Sequence, residues 1–391
     1  MRVLLYAPNY LPATRYGGPI RSSHGLARAL VELGHEVQVF TTNVDGPGVL
    51  DVPLERDIEI DGVKVRYFPI AAPRRVYHSP AMGRAIRAEV GGFDIAHING
   101  VYLWPGPKLA REAVRAGAAV VVSPRGMLSP EMIAGKSKFV KQAWIRLFER
   151  SALASAAAIH VTSEEEADGV RRLDLDLAPL SVIANGVDLP AVPPSPTDIE
   201  RVWAGIPRGG RVALLARLDW TKGVDLAIDA VLSHPTAQIL IAGPDQIGLR
   251  ARLEPRLLAA GRPAGRFVGE VEGVDKWALL AGADVLLAPS VKESFGMAVA
   301  EALAIGTPVI CTEGVGAASI VRRTGAALVT ERTAEAVARA LADLLSDARR
   351  RAEAGARAHE IMAAEFTWRA VATQMAELYA SVRAPTNRRA A

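Results

Sequence analysis

Short runs of aliphatic and β-branched residues alternate with longer amphipathic stretches along this 391-residue chain, and the alternation runs through twice. That is the pattern of parallel sheets built from strand–helix–strand units, because two parallel strands need a long crossover and a helix supplies it. In the first half the pattern predicts strands at residues 3–7, 36–41, 63–68, 95–99, 120–123, 158–162 and 180–184. Helices are expected at 20–33 and 163–173, the second opened by Ser163 and the acids Glu164, Glu165 and Glu166. Residues 189–196 read LPAVPPSP, four prolines in eight positions, a stiff exposed linker. The alternation then resumes at 212–216, 238–242, 266–269, 285–288, 308–312 and 327–330, and 333–382 is helical.

The expected organisation is therefore two doubly wound α/β domains. The first covers 1–190, a proline-rich linker 191–198, the second 199–366, and 367–391 is a helix crossing back to the first domain, followed by a polar tail. Such an arrangement places a ligand cleft between domains and makes closure a hinge motion. Composition narrows the function classes. Half the residues are apolar and 23% charged, so there is core enough for two domains. The longest apolar window, 295–311, is broken by Glu301 and Pro308 and falls short of the roughly 18 uninterrupted apolar residues of a membrane-spanning helix. The apolar run in MRVLLYAPNY is too short for a secretory leader, and a cytoplasmic setting is expected. A single cysteine, Cys311, gives neither a disulfide framework nor a cysteine metal cluster. A net charge of +4 with 5% aromatic residues makes no case for nucleic acid.

The residues with the clearest chemistry lie in the second half. SVKESFGMAVAEALAIGTP, residues 290–308, follows an apolar strand and opens a helix near Ser294. Ser294, Phe295, Gly296 and Met297 then offer unpaired N–H groups to a phosphate at the positive end of that helix. Glu293 and Glu301 stand about 12 Å apart if the helix runs through both, at ~1.5 Å per residue, which suits the two ends of an extended ligand. Standing alone, two such acids are better explained by a solvated surface helix, and it is the residues around them that favour a ligand. Arg217 and Lys222, in LLARLDWTKGVDLAIDA, end the first strand of the second domain, where two cations can neutralise a diphosphate. In the first domain Tyr16, Gly17, Gly18 and Pro19 link a strand to a helix, and the glycine pair lets backbone amides approach a ligand.

Taken in order, GGPIR, GHEVQVFT, DIAHING, NGVD, ARLDWTKG, ESFGMAVAE and GTPVI span nearly the whole chain. This set resembles the retaining glycosyltransferases of family 4, which have the GT-B fold of two Rossmann-like domains facing a central cleft. Within that family it is similar to an exopolysaccharide and O-antigen branch. The resemblance implies a nucleotide-sugar donor held by the second domain. Arg217 and Lys222 would take its diphosphate and Glu301 its ribose hydroxyls. Glu293 with the amides of Ser294–Met297 would face sugar and phosphate, Gly17 and Gly18 would close from the other side, and Gly243 and Val271 would lie by the base. The implied reaction needs no cofactor and no divalent metal, and its acceptor is a saccharide, free or lipid-linked. Many relatives carry a histidine in a T-x-H-G context near the acceptor; here the run is VVVSPRGMLSP and Arg125 takes the place. Arginine cannot act as a base near neutral pH, so Arg125 is assigned to positioning sugar or acceptor. His97, in DIAHING, either points into the cleft or is a satisfied core histidine.

Three further stretches invite misreading. Asp174-Leu175-Asp176 is a D-x-D, but it ends a helix instead of following a strand, so no metal is assigned to it. Residues 314–319, GVGAAS, resemble a dinucleotide fingerprint, yet too little sequence follows for a dinucleotide domain, and a turn beside the donor site fits better. Residues 136–150, KSKFVKQAWIRLFER, interleave Phe139, Trp144 and Phe148 with cations, which suits either a helix packed on the first domain or peripheral contact with an anionic membrane, such as the inner face of the plasma membrane. Two other functions share the architecture: a nucleotide-sugar epimerase, and a non-catalytic nucleotide-sugar-binding partner.

Overall fold

The computed structural model describes residues 1–13, 17–134, 137–325 and 327–383; Tyr16, Lys136 and the expected tail beyond 383 lie outside them. The chain divides into two compact units, Met1–Gly186 with Trp368 onward, and Val187–Thr367.

The first unit opens with β1 (Arg2–Tyr6), α1 (Gly18–Glu32) and β2 (Glu36–Thr42). A small ladder of β3 (Val44–Asp45) and β4 (Gly48–Val49) precedes β5 (Asp57–Ile60) and β6 (Val63–Phe68). Then come α2 (Pro80–Glu89), β7 (Ile95–Asn99), α3 (Pro105–Ala116) and β8 (Ala119–Ser123). Three helical pieces follow, α4 (Pro130–Ala134), α5 (Lys138–Trp144) and α6 (Arg150–Ser155), with a π-helical turn over Ile145–Glu149 joining the last two. β9 (Ala158–Val161), α7 (Glu164–Arg171) and β10 (Leu180–Val182) complete the run. Among the described residues the main sheet has the order β10-β9-β8-β7-β1-β2-β6-β5, parallel throughout except where β5 joins β6 antiparallel. β5 was not expected from the sequence: its residues DIEI alternate between exposed and half-buried, as an edge strand permits.

In the second unit α8 (Pro196–Val202) precedes β11 (Arg211–Leu215), α9 (Val224–Leu232), β12 (Gln238–Ala242) and α10 (Leu249–Leu258). β13 (Gly265–Gly269), α11 (Gly273–Gly282), β14 (Val285–Ala288), α12 (Met297–Ala304) and β15 (Val309–Thr312) follow. α13 (Ala318–Thr324), β16 (Ala327–Thr330), α14 (Ala334–Ser346) and α15 (Ala348–Glu365) end the unit. Its parallel sheet runs β13-β12-β11-β14-β15-β16, over a core of Val212, Leu214, Ile239, Ile241, Val285 and Leu287 against α9 and α14. α16 (Trp368–Val382) then returns to the first unit, burying Trp368, Val371, Met375 and Tyr379 against Val3, Leu5, Leu26 and Val39.

The proline-rich stretch is not the linker expected at 191–198. The chain changes unit at Gly186/Val187, and Val187 N donates to Phe366 O at 2.8 Å, so the outgoing and returning strands run side by side. The last proline of the stretch belongs to a helix start. Ser195 and Asp198 form a reciprocal capping box on α8 with Pro196 in its first turn, where the missing N–H would have no partner anyway. Each sheet reverses its strand order once, between β7 and β1 and between β11 and β14. Ligands of such sheets bind beyond the strands' carboxyl ends at these points.

Candidate active site

The second unit gathers the expected donor residues on that edge. Arg217 follows β11 and is exposed, with Asp219 Oδ2 4.0 Å from its Nη2. Asp219 caps a one-turn 3₁₀ helix, Trp220–Lys222, which carries the Lys222 ammonium to 3.1 Å from Glu293 Oε1. Ser290 Oγ donates to the same carboxylate oxygen at 2.8 Å. Glu293 is held by its backbone as well: its N–H donates to Gly314 O at 2.8 Å and its carbonyl accepts from Gly316 N at 3.1 Å. The GVGAAS run is thus the turn that seats Glu293.

α12 opens at Met297, three residues later than the sequence suggested. Gly296 is left-handed at φ 98°, outside the helix, and no side chain caps α12. Glu293 and Glu301 therefore do not share one helix, and the 12 Å figure, which assumed that they did, no longer holds. Phe295 is a core residue, 2% exposed, so only its backbone can meet a ligand. Ser294 and Met297 are partly buried at the helix entry. On the next strands Gly243 N donates to Gly269 O at 2.7 Å, and Gly243 sits at φ 137° where a Cβ would fall 1.8 Å from Ala216 O. No other residue fits there. Val271 is partly buried in the loop that follows β13.

Glu301 has a partner that the sequence did not reveal. Lys276 Nζ on α11 lies 2.9 Å from Glu301 Oε1 and 4.2 Å from the centre of the Trp277 ring. Both side chains are partly buried, so the carboxylate is already oriented and charge-balanced.

In the first unit, Gly17 (φ 66°) precedes α1 and Gly18 begins it, with no side-chain cap and no acid in the first turn. Arg125 adopts φ 55° beyond β8. Its Nε donates to Asn99 Oδ1 and its Nη1 to Asn185 Oδ1, both at 2.8 Å. Burial lowers the guanidinium from its usual range, opposed by Glu166 at longer reach.

His97 does not face a ligand. It is wholly buried on β7 between Tyr379 Oη and Ser123 Oγ, each 2.6 Å from a ring nitrogen. His160 Nε2 meets the Ile183 carbonyl at 2.8 Å and must donate to it, which leaves Nδ1 to accept from Ser123 Oγ at 2.7 Å. The hydroxyl of Ser123 then accepts from His97 Nε2, and His97 Nδ1 accepts from Tyr379. One unbroken donor chain results, with both imidazoles neutral. Burial is the main cause holding His97 well below the usual imidazole range and His160 at about 3, with Arg125 adding to both. The residue looked functional in sequence because a polar group near a strand's carboxyl end is where ligand-binding residues stand.

Two family models cover most of the chain. Residues 17–186 match the glycosyl transferase 4-like domain and 205–361 the glycosyl transferases group 1. The chain is 30% identical to a glycogen synthase of Mycobacterium tuberculosis, over 97% of this chain and 94% of that one. The chain belongs to the family 4-type glycosyltransferases. It is also 28% identical to a D-inositol 3-phosphate glycosyltransferase of Jonesia denitrificans, over 92% of this chain and 89% of that one. Its fold is GT-B: Anabaena HepE in complex with UDP-glucose superposes with a TM-score of 0.74 at 20% identity, over 97% of this chain and 100% of that one. Among the described residues no helix is long and apolar enough to cross a membrane.

Proposed function

We propose that this glycosyltransferase moves a sugar from a nucleotide-sugar donor to a saccharide acceptor with retention of configuration, in the assembly of a cell-surface or exopolysaccharide glycan. The observation that carries the reading is the Lys222–Glu293 pair, 3.1 Å apart beside the uncapped entry to α12. A diphosphate arriving there gives Lys222 a second anionic partner and gives the first N–H groups of α12 an acceptor. Arg217, half exposed, adds charge on the same edge. Glu301, held by Lys276, presents its remaining lone pairs to ribose hydroxyls, and Gly243 with Val271 borders the base. Glu293 faces the sugar. Gly17 and Gly18 offer the amides that begin α1.

In a front-face displacement the departing phosphate oxygen accepts the proton of the attacking hydroxyl. The protein's task is then to stabilise charge on the leaving diphosphate, each aimed donor supplying about 2.7–4 kcal/mol. Neither a metal nor a cofactor is required, so full activity in excess chelator is expected. A thermal-shift panel of UDP-, GDP-, ADP- and TDP-sugars identifies the donor, and NMR of the product's anomeric proton reads its configuration. An inverted anomer, or stabilisation by no member of the panel, contradicts the proposal. Donor converted to a new nucleotide sugar without acceptor marks an epimerase instead; donor bound without turnover across acceptors marks a binding partner.

The acceptor is lipid-linked in this reading. Phe139 is 83% and Leu147 70% exposed beside Lys138, Lys141 and Arg146. Their segment is pinned from behind by Trp144 and Phe148, which pack edge-to-face against Trp104 with ring centres 6.2 and 5.3 Å away. An apolar ridge among cations suits an anionic bilayer surface at the inner face of the membrane. Sedimentation with anionic but not neutral vesicles, lost on charge reversal of Lys136, Lys138 and Lys141, is the expected result; equal sedimentation with both vesicles contradicts it.

A further inference from the structure

Arg125 is held in an unusual way for a partly buried cation. Its two hydrogen-bond partners are the neutral amide oxygens of Asn99 and Asn185, and among the described residues no carboxylate pairs with it. Glu166, the acid that acts on it from further away, is already spent: Oε2 accepts from Thr162 N at 2.8 Å and from Thr162 Oγ1 at 2.7 Å, and Oε1 from Gly126 N. Of the five N–H donors of a guanidinium, two are engaged, which leaves three. A buried charge without a counter-charge is costly, and removing one partner of a buried pair is among the more damaging changes known. Here the fold sustains that cost and adds a left-handed backbone at Arg125, φ 55°.

The location gives the cost a reason. Asn99 ends β7, Arg125 follows β8 and Asn185 follows β10, so the three converge beyond the carboxyl ends of parallel strands beside the β7–β1 reversal. Asn99 Nδ2 also donates to Tyr6 O at 3.2 Å, which ties the guanidinium to β1 itself. The amides fix the orientation of the planar fork without neutralising it. A fork held in this way matches two oxygens of one anionic group.

Resting on the glycosyltransferase reading above, we propose that Arg125 receives a phosphate or carboxylate group carried by the glycosyl acceptor, so that the acceptor is an anionic saccharide. The amides of Asn99 and Asn185 are its positioning residues, and the missing counter-charge is supplied by the substrate.

The test uses the full chain with defined probes: glucose 6-phosphate, glucuronate, inorganic phosphate and glucose at equal ionic strength. Calorimetry of the wild type, Arg125→Met and Arg125→Lys gives the affinities, and UDP and GDP are titrated into each protein. The expected result is that the two anionic sugars bind and glucose does not. Arg125→Met should weaken the anionic sugars by about tenfold to a hundredfold, the range of a charge-assisted hydrogen bond, with partial recovery in Arg125→Lys. Inorganic phosphate should compete with them. Glucose binding as well as its 6-phosphate, or anionic sugars binding Arg125→Met as they bind wild type, overturns the proposal. Anionic-sugar binding that is lost together with nucleotide binding overturns it too, because the group would then belong to the donor. Failure of the donor reading is separate: it appears as no nucleotide binding to the wild type. Should Arg125→Met not fold, Arg125→Lys and glucose decide between the outcomes.

Discussion

The two sheet edges carry their polar residues in opposite ways. In the second unit Lys222 meets Glu293 and Lys276 meets Glu301, at 3.1 and 2.9 Å. In the first, Tyr379, His97, Ser123 and His160 form a neutral chain closed by a backbone carbonyl, and the one cation among them, Arg125, leans on amides. An ion pair at a rim can exchange partners, because an arriving diphosphate or hydroxyl replaces one interaction with another of the same kind. A closed neutral chain has nothing to exchange and serves as scaffold. Under the proposed function, turnover then rests on the second unit's pairs, and the first unit's histidines serve stability.

The largest effect that tests this division is steric. Gly243→Ala puts a methyl group on the Ala216 carbonyl and should cost more than about 4 kcal/mol, read as loss of the cooperative urea transition of the second unit. Next, Lys222→Ala and Glu301→Ala should each lower turnover by about a hundredfold to a thousandfold. Their melting temperatures should change little beside that loss, since neither pair is fully buried. Near-wild-type rates would remove the contrast between the two edges.

The first unit should answer to pH instead. A histidine whose folded value lies below its unfolded one binds more protons when unfolded, so it favours the fold fully above about pH 6.5 and loses that contribution as pH falls toward its folded value. With His160 at about 3 and His97 also lowered, stability should decline between pH 6.5 and 3. Chemical denaturation across that window, repeated on a His160→Gln variant, should show a shallower decline for the variant. Glu149 works in the other direction. It is 3% exposed and accepts from Tyr102 N at 2.7 Å and Trp144 Nε1 at 3.0 Å, and burial pushes it up to about 7. Its folded value lies above the unfolded one, so it favours the fold below about pH 4.5 and loses that contribution as pH rises through 7. Glu149→Gln keeps an acceptor oxygen for both donors and should raise stability at pH 8 by about 1–3 kcal/mol. The smallest expected effect is Tyr379→Phe, which leaves His97 Nδ1 unpaired and should cost about 1 kcal/mol without altering nucleotide affinity.

The parallel strands were legible because most of them bury both faces and read as short apolar runs; 95–99, 238–242 and 285–288 match the structure to the residue, as does the half-buried edge strand 327–330. Their carboxyl-end loops, with Arg217, Lys222 and Glu293, could be found for the same reason, since the strand ends say where to look. What escaped depends on distance in the chain. Lys276 sits 25 residues before Glu301 on a helix with no motif of its own, and its role exists only once α11 and α12 are side by side. His97 stayed open between two readings because burial by α16, which arrives 282 residues later at Tyr379, cannot be seen from DIAHING. The prolines of 189–196 suggested a boundary, though proline also favours the first turn of a helix, as at α8.

The central claim is that a pyrophosphate docks between Arg217, Lys222 and the amides that open α12. A crystal structure with the nucleotide sugar selected by thermal shift tests it most directly. The account predicts diphosphate oxygens within hydrogen-bond distance of Lys222 Nζ and of the N–H groups of residues 294–297, with ribose on Glu301. A nucleotide seated elsewhere, with Lys222 still bound only to Glu293, would contradict it.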